Sequence, residues 1–113
     1  MRYSRQYPDF FIIGAQRSGT TSLYEYLRQH PQLFLSPHKE THFFSRDRVR
    51  LDNDLVIHSE KEYLKLFAAH RHTQLLGEAS PSYLWHPEVA QRIFAKQPRA
   101  KIIAILREPI ARA

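Results

Sequence analysis

Three groups of residues have the types and spacing to do chemistry. The first is Gly14-Ala15-Gln16-Arg17-Ser18-Gly19, followed by Thr20, Thr21 and Ser22. Two glycines leave room for a close backbone approach, Arg17 supplies a positive charge, and Ser18, Thr20, Thr21 and Ser22 supply hydroxyls. At the start of a helix, unpaired N–H groups and the helix dipole would add to these, which makes the stretch an anion site for phosphate or sulfate. The second group is Lys39-Glu40-Thr41-His42, where a carboxylate stands beside an imidazole and could take a proton from a hydroxyl. The third is Arg107, which follows an apolar run and can hold an anion directly, without a metal.

The elements around these groups are legible as a pattern. Phe10–Ile13 is a short apolar run of the kind found in buried parallel strands. Thr20 to His30 has helical periodicity, with Leu23 and Leu27 on one face and Pro31 as its stop. Gln32–Leu35 reads as a brief strand before the turn at Ser36-Pro37, and Phe43 and Phe44 anchor the Glu40 segment to the core. Ser45–Ile57 reads as a charged loop. Ser59 and Glu62 form a capping box for a helix whose apolar face is Tyr63, Leu64, Phe67 and Ala68, with His70 and His72 at an exposed helix end.

A strand is expected at Leu75–Glu78 and a helix at Pro87–Lys96, with Val89, Ala90, Ile93 and Phe94 facing inward. Tyr83 and Trp85 read as core or cleft walls. Lys101–Leu106 is apolar on both faces and reads as a central strand. Strands alternating with helices predict an α/β fold: a parallel sheet flanked by helices, with right-handed crossovers and a P-loop-like nucleotide site. The ligand belongs beyond the carboxyl ends of the strands.

Composition narrows the function further. At 113 residues the chain is at most one domain, and 42% hydrophobic content supports a core. Absence of cysteine excludes a disulfide framework and thiolate metal sites. No apolar run is long enough for a membrane span or a signal peptide, so the chain reads as soluble and cytoplasmic, without a membrane partner. The net charge of +6 suits nucleic acid, an acidic polymer or a nucleotide-like anion, and the scatter of the basic residues argues against the first. His38 and His42 are four apart, but no third ligand accompanies them, so no metal is expected.

The loop has the GxxxxG spacing of a nucleotide P-loop, but Thr20 stands where that loop has lysine. GAQRSGTTSL instead resembles the loop with which sulfotransferases bind the 5′-phosphosulfate end of 3′-phosphoadenosine 5′-phosphosulfate (PAPS). Arg17 occupies the family's lysine position, keeping the charge but replacing a point donor with a planar fork. KETHFF resembles the K-E-x-H-F-F element of heparan-sulfate-type and bacterial sulfotransferases, which implies Glu40 as general base and His42 as an orienting group. GEASPSY is similar to the family's G-E-x-(S/T)-P-x-Y segment, with Ala79 where some members have lysine. LREPIARA resembles R-x-P-x-x-R-x-x-S, which implies that Arg107 binds the 3′-phosphate, with Arg112 matching the second arginine.

The resemblance implies sulfuryl transfer from PAPS to a hydroxyl, or less readily an amine, of a carbohydrate or small-molecule acceptor, without a metal. Its donor-binding residues would be Arg17, Ser18, Gly19, Thr20, Thr21, Ser22 and Arg107, and its catalytic residues Glu40, Arg17 and His42. The serine of the last motif falls beyond Ala113, so residues 1–113 are expected to be the N-terminal part of one incomplete sulfotransferase domain. Two other readings stay open: a P-loop kinase-like phosphotransferase, and a remnant that binds nucleotide without turnover. The oligomeric state is open as well.

Overall fold

The computed structural model describes residues 7–14, 20–48 and 56–105. Its elements follow in the order β1 (Phe10–Gly14), α1 (Thr20–Arg28), β2 (Leu33–Leu35), a 3-10 turn (Phe43–Ser45), α2 (Glu60–Lys65), β3 (Leu75–Ala79), a second 3-10 turn (Pro81–Trp85), α3 (Glu88–Lys96) and β4 (Lys101–Ala104). The four strands form one sheet in the order β2-β3-β1-β4, and every pairing is parallel. The α/β reading and the parallel sheet therefore hold.

Period-two alternation sorts the strand side chains between two cores. Phe10 and Ile12 of β1 join Ala79, Leu35 and Tyr24 of α1 on one face. Phe11 and Leu76 face the other way, into a larger aromatic core with Phe43, Phe44, Tyr63, Phe67, Tyr83, Val89 and Ile93. Helix α1 thus covers one face of the sheet, while α2 and α3 cover the opposite one. The connections from β1 to β2 and from β3 to β4 leave in opposite directions and on opposite faces, the topology that in open α/β sheets puts ligands at the carboxyl ends of the central strands.

Local chemistry explains the helix ends. Ser59 adopts an extended conformation and its side chain accepts from the Glu62 N–H at 3.0 Å, which caps α2 as expected. Lys65 in the last turn of α2 and Lys96 in that of α3 complement the helix dipoles. Pro87 precedes α3 in helical geometry.

Several local expectations give way to packing. Strand β4 pairs with β1 alone among the described residues and is an edge strand, with Ile102 48% exposed. Its apolar run signals a surface that can be buried but cannot say which segment buries it. Phe94 is 66% exposed and Ala90 also faces outward, because only Val89 and Ile93 of α3 point along the line of contact with the sheet; outside that helix, Trp85 is 64% exposed and Ala68 is exposed as well. His70, expected at an exposed end, is buried with its Nδ1 2.5 Å from the Phe67 carbonyl oxygen. Ser45, the first residue of the expected loop, is fully buried in the 3-10 turn, and residues 49–55 lie outside the described set.

Gly77 sits directly beside Phe10 in the β1–β3 register, and the Phe10 ring folds over it. A Cβ at Gly77 would lie 2.1 Å from the ring's Cζ. Gly77→Ala is therefore expected to destabilise the fold by about 1–3 kcal/mol through overpacking. Chemical denaturation checks this, and Phe10→Leu in the same chain should recover part of the loss, a non-additivity that marks the direct contact.

Candidate active site

The carboxyl edge of the sheet gathers the predicted segments by backbone hydrogen bonds. The Ser80 N–H donates to the Ile12 carbonyl at 3.0 Å, fixing the chain after β3 against β1. The Glu40 N–H donates to the Ala79 carbonyl at 2.8 Å, and the Ser36 N–H to that of Gly77 at 2.9 Å. The segment from Ser36 to Thr41 therefore runs along the end of β3. The Ile105 N–H donates to the Gly14 carbonyl at 2.8 Å, bringing the end of β4 beside the end of β1. Gly14 is needed for close approach, since a Cβ there would lie 2.7 Å from the Leu84 Cβ.

Glu40 and His42 are the two non-glycine residues with left-handed backbone among the described residues, at φ 60° and 56°. Each such conformation costs on the order of 1–3 kcal/mol and persists only where its surroundings enforce it. The result is a sharp double turn that places the two side chains together. A Glu40 carboxylate oxygen lies 3.8 Å from the His42 Nε2, and the other accepts from the Lys39 Nζ at 2.9 Å. The Glu40 side chain is 38% exposed, so one face of the carboxylate is open to an incoming group.

His42 is buried, with its Nδ1 2.9 Å from the Ser82 hydroxyl. Burial holds its pKa below the ordinary value of 6.5, Glu40 opposes that shift, and His38 and His86 add to it. A neutral ring beside the carboxylate leaves its charge in place. Lys39 contributes the positive charge on the other side. The arrangement can deprotonate a hydroxyl brought to the open face.

Beneath the double turn lies Glu78, fully buried on the same face of β3 as Leu76. One of its oxygens accepts from the hydroxyls of Thr41, Ser80 (2.6 Å) and Tyr83 (2.7 Å), and the other from Tyr63 at 2.5 Å. Burial raises the Glu78 pKa while these hydroxyls pull it back down. Burial and the Glu78 charge together push Tyr63 and Tyr83 well above the usual phenol range. Sequence reasoning placed Glu78 in the GEASPSY segment but gave it no site role, although a charged residue two positions from Leu76 in an apolar strand was a usable signal. It also passed over Ser82, whose contact with His42 spans 40 residues of sequence.

The remaining predicted site residues divide. Glu40 and His42 come together at the carboxyl edge. Ser22 is exposed on the first turns of α1. Arg17, Ser18, Gly19, Arg107 and Arg112 lie outside the described residues, as do the side chains of Thr20 and Thr21, whose backbones open α1. Among the described residues, no group of three His, Cys, Asp or Glu side chains is placed to hold a metal.

Comparison with known proteins now bears on this geometry. The model of the sulfotransferase family matches residues 8–72. The chain is 35% identical to the membrane-associated sulfotransferase kil1 of Dictyostelium discoideum over 94% of its own length, and 35% identical to human carbohydrate sulfotransferase 15 over 93%. It is 33% identical to human heparan sulfate glucosamine 3-O-sulfotransferase 6 over 96% of its length. It covers 21%, 26% and 29% of these three relatives, respectively. A crystal structure of a sulfotransferase from Alicyclobacillus acidocaldarius superposes with a TM-score of 0.85 at 41% identity, over 95% of this chain and 47% of that one.

One expectation is overturned by these relatives. A cytoplasmic location does not stand, because a relative matched over nearly the whole chain is a membrane-associated enzyme. Among the described residues no helix is long and apolar enough to cross a membrane, and the composition argument saw no more than that. Family match, relatives and superposition agree: the chain belongs to the sulfotransferase family.

Proposed function

We propose that residues 1–113 are the donor-binding and base-bearing part of a sulfotransferase domain that transfers a sulfuryl group from PAPS to a hydroxyl. The observation that carries this reading is the Glu40–His42 pair at the carboxyl edge of a parallel sheet, beside the strand that leads into the Gly14–Ser22 stretch. Two relatives are named for carbohydrate and heparan sulfate chemistry, which supports a sugar hydroxyl as acceptor.

In this mechanism the acceptor O–H bond breaks and its proton passes to Glu40. The acceptor oxygen bonds to sulfur as the bond from sulfur to the 5′-phosphate oxygen breaks, leaving adenosine 3′,5′-bisphosphate. Lys39 holds the carboxylate in place, and the neutral His42 ring beside it has its orientation set by Ser82. Arg17 would offset charge on the departing phosphate oxygen. Ser18, Gly19, Thr20, Thr21 and Ser22 would hold the 5′-phosphate through hydroxyls and helix-start amides, and Arg107 the 3′-phosphate. No step requires a metal.

Calorimetric titration with adenosine 3′,5′-bisphosphate, without metal, tests the donor site. Selective binding over ATP with magnesium is expected, weakened at least about tenfold by Arg17→Ala or Arg107→Ala, since each removes a charge-assisted contact. Wild-type affinity in both variants would sink the donor assignment. Glu40→Gln should lower kcat by about 10²–10⁴-fold while leaving bisphosphate binding intact. Undiminished turnover in that variant would remove Glu40 from the role of base.

The histidine has a further consequence for stability. Because the folded pKa of His42 lies below 6.5, the unfolded chain takes up this proton first as pH falls. Stability is thus lost on acidification from 6.5 down to the native value, and is fully present above 6.5. His42→Gln is expected to flatten the dependence of melting temperature on pH in that window relative to the parent chain.

A further inference from the structure

Three successive backbone N–H groups of the Glu40 turn end on the same buried carboxylate, each through one hydroxyl. The His42 N–H donates to the Ser80 Oγ at 3.2 Å, the Phe43 N–H to the Thr41 Oγ1 at 3.2 Å, and the Phe44 N–H to the Tyr83 hydroxyl at 3.1 Å. Those three hydroxyls all donate to one oxygen of Glu78. These are the N–H groups at the start of a 3-10 turn, which have no partner within the turn itself. His42 occupies the cap position and makes no side-chain cap bond there. The role of a helix-capping carboxylate is filled from beneath, at one remove.

The relay bears directly on the two strained residues. Thr41 is fully buried between Glu40 and His42, and its side chain is tied to Glu78. Ser80 ties the His42 backbone to the same carboxylate. Left-handed conformations at Glu40 and His42 need such enforcement, because relaxation of either would swing its side chain away from the other. Each hydroxyl is also polarised twice, accepting from an N–H while donating to a carboxylate, which strengthens both bonds.

We infer that Glu78 is a positioning residue for the transfer reaction: through Ser80, Thr41 and Tyr83 it fixes the backbone of residues 42–44 and thereby the approach of Glu40 to His42. It touches neither substrate and acts only through the turn. This inference rests on the assignment of Glu40 as base.

The test uses the full chain carrying Glu78→Gln, Ser80→Ala, Ser80→Thr or Thr41→Val, with Glu40→Gln alongside. Gln keeps the shape of Glu78 but offers one acceptor where there were two. Ser80→Ala cuts the arm to His42, Ser80→Thr keeps its hydroxyl, and Thr41→Val cuts the arm to Phe43. Two readouts are taken: the titration midpoint of the His42 ring by NMR, and kcat with PAPS and a sugar acceptor. The groups facing that ring are Glu40, His38, His86 and Ser82, and all remain in these four variants.

Glu78→Gln and Ser80→Ala should each move the His42 midpoint up towards 6.5 as the turn opens to water, with Ser80→Thr restoring it. They should lower kcat by up to about 100-fold through misplacement of the base, with bisphosphate affinity unchanged. Folded Ser80→Ala and Thr41→Val chains with the parent midpoint would overturn the proposal, even if Glu78→Gln fails to fold. So would a moved midpoint with undiminished kcat when Glu40→Gln is inactive. If Glu40→Gln retains turnover, the base assignment fails by itself, and the midpoint still decides whether Glu78 holds the turn.

Discussion

A single buried carboxylate sets the terms for the carboxyl edge of this protein's sheet. Placing Glu78 in an aromatic core costs several kcal/mol unless its oxygens are fully hydrogen-bonded. Four hydroxyls from Thr41, Tyr63, Ser80 and Tyr83 meet that requirement, and they come from three different segments of the chain. The compensation for burial is therefore also a cross-link. Helix α2 contributes Tyr63, the turn after β3 contributes Ser80 and Tyr83, and the Glu40 turn contributes Thr41, so none of these can shift without exposing the cost of the charge.

Aromatic packing completes this arrangement. The rings of Phe43 and Tyr63 stack at 4.3 Å between centroids, and Phe44 meets Phe11, Tyr63 and Tyr83 edge-on. Phe43 and Phe44 thus lock the turn to the sheet from the apolar side, while their own N–H groups are locked from the polar side through Thr41 and Tyr83. Apolar contacts alone would tolerate small slides of the turn. Directional bonds to one carboxylate would not, and the separation of Glu40 from His42 depends on that distinction.

Much of the fold was legible because its signals are local. All of the expected strands appear, since short apolar runs between turn residues have few alternatives, and Ser59 caps its helix as its spacing implied. Errors fell where burial depends on a partner distant in sequence. Phe94, Trp85 and Ile102 have side chains suited to a core but find no cover among the described residues. Conversely, His70 and Ser45, which look like surface residues, are buried because segments remote in sequence fold over them.

The candidate site divides along the same line. From the residues alone came the anion-binding loop and the arginine after the last strand, and from the family they resemble came the pairing of Glu40 with His42, because residue type and near-neighbour spacing carry that information. The strand order, the left-handed double turn and the role of Glu78 were decided only in three dimensions. Thr41 lies 37 residues from Glu78, and Ser80 lies 38 from His42. Bonds across such separations leave no periodic trace in a sequence. They exist because a parallel sheet brings the end of β3 beneath the turn that carries Glu40.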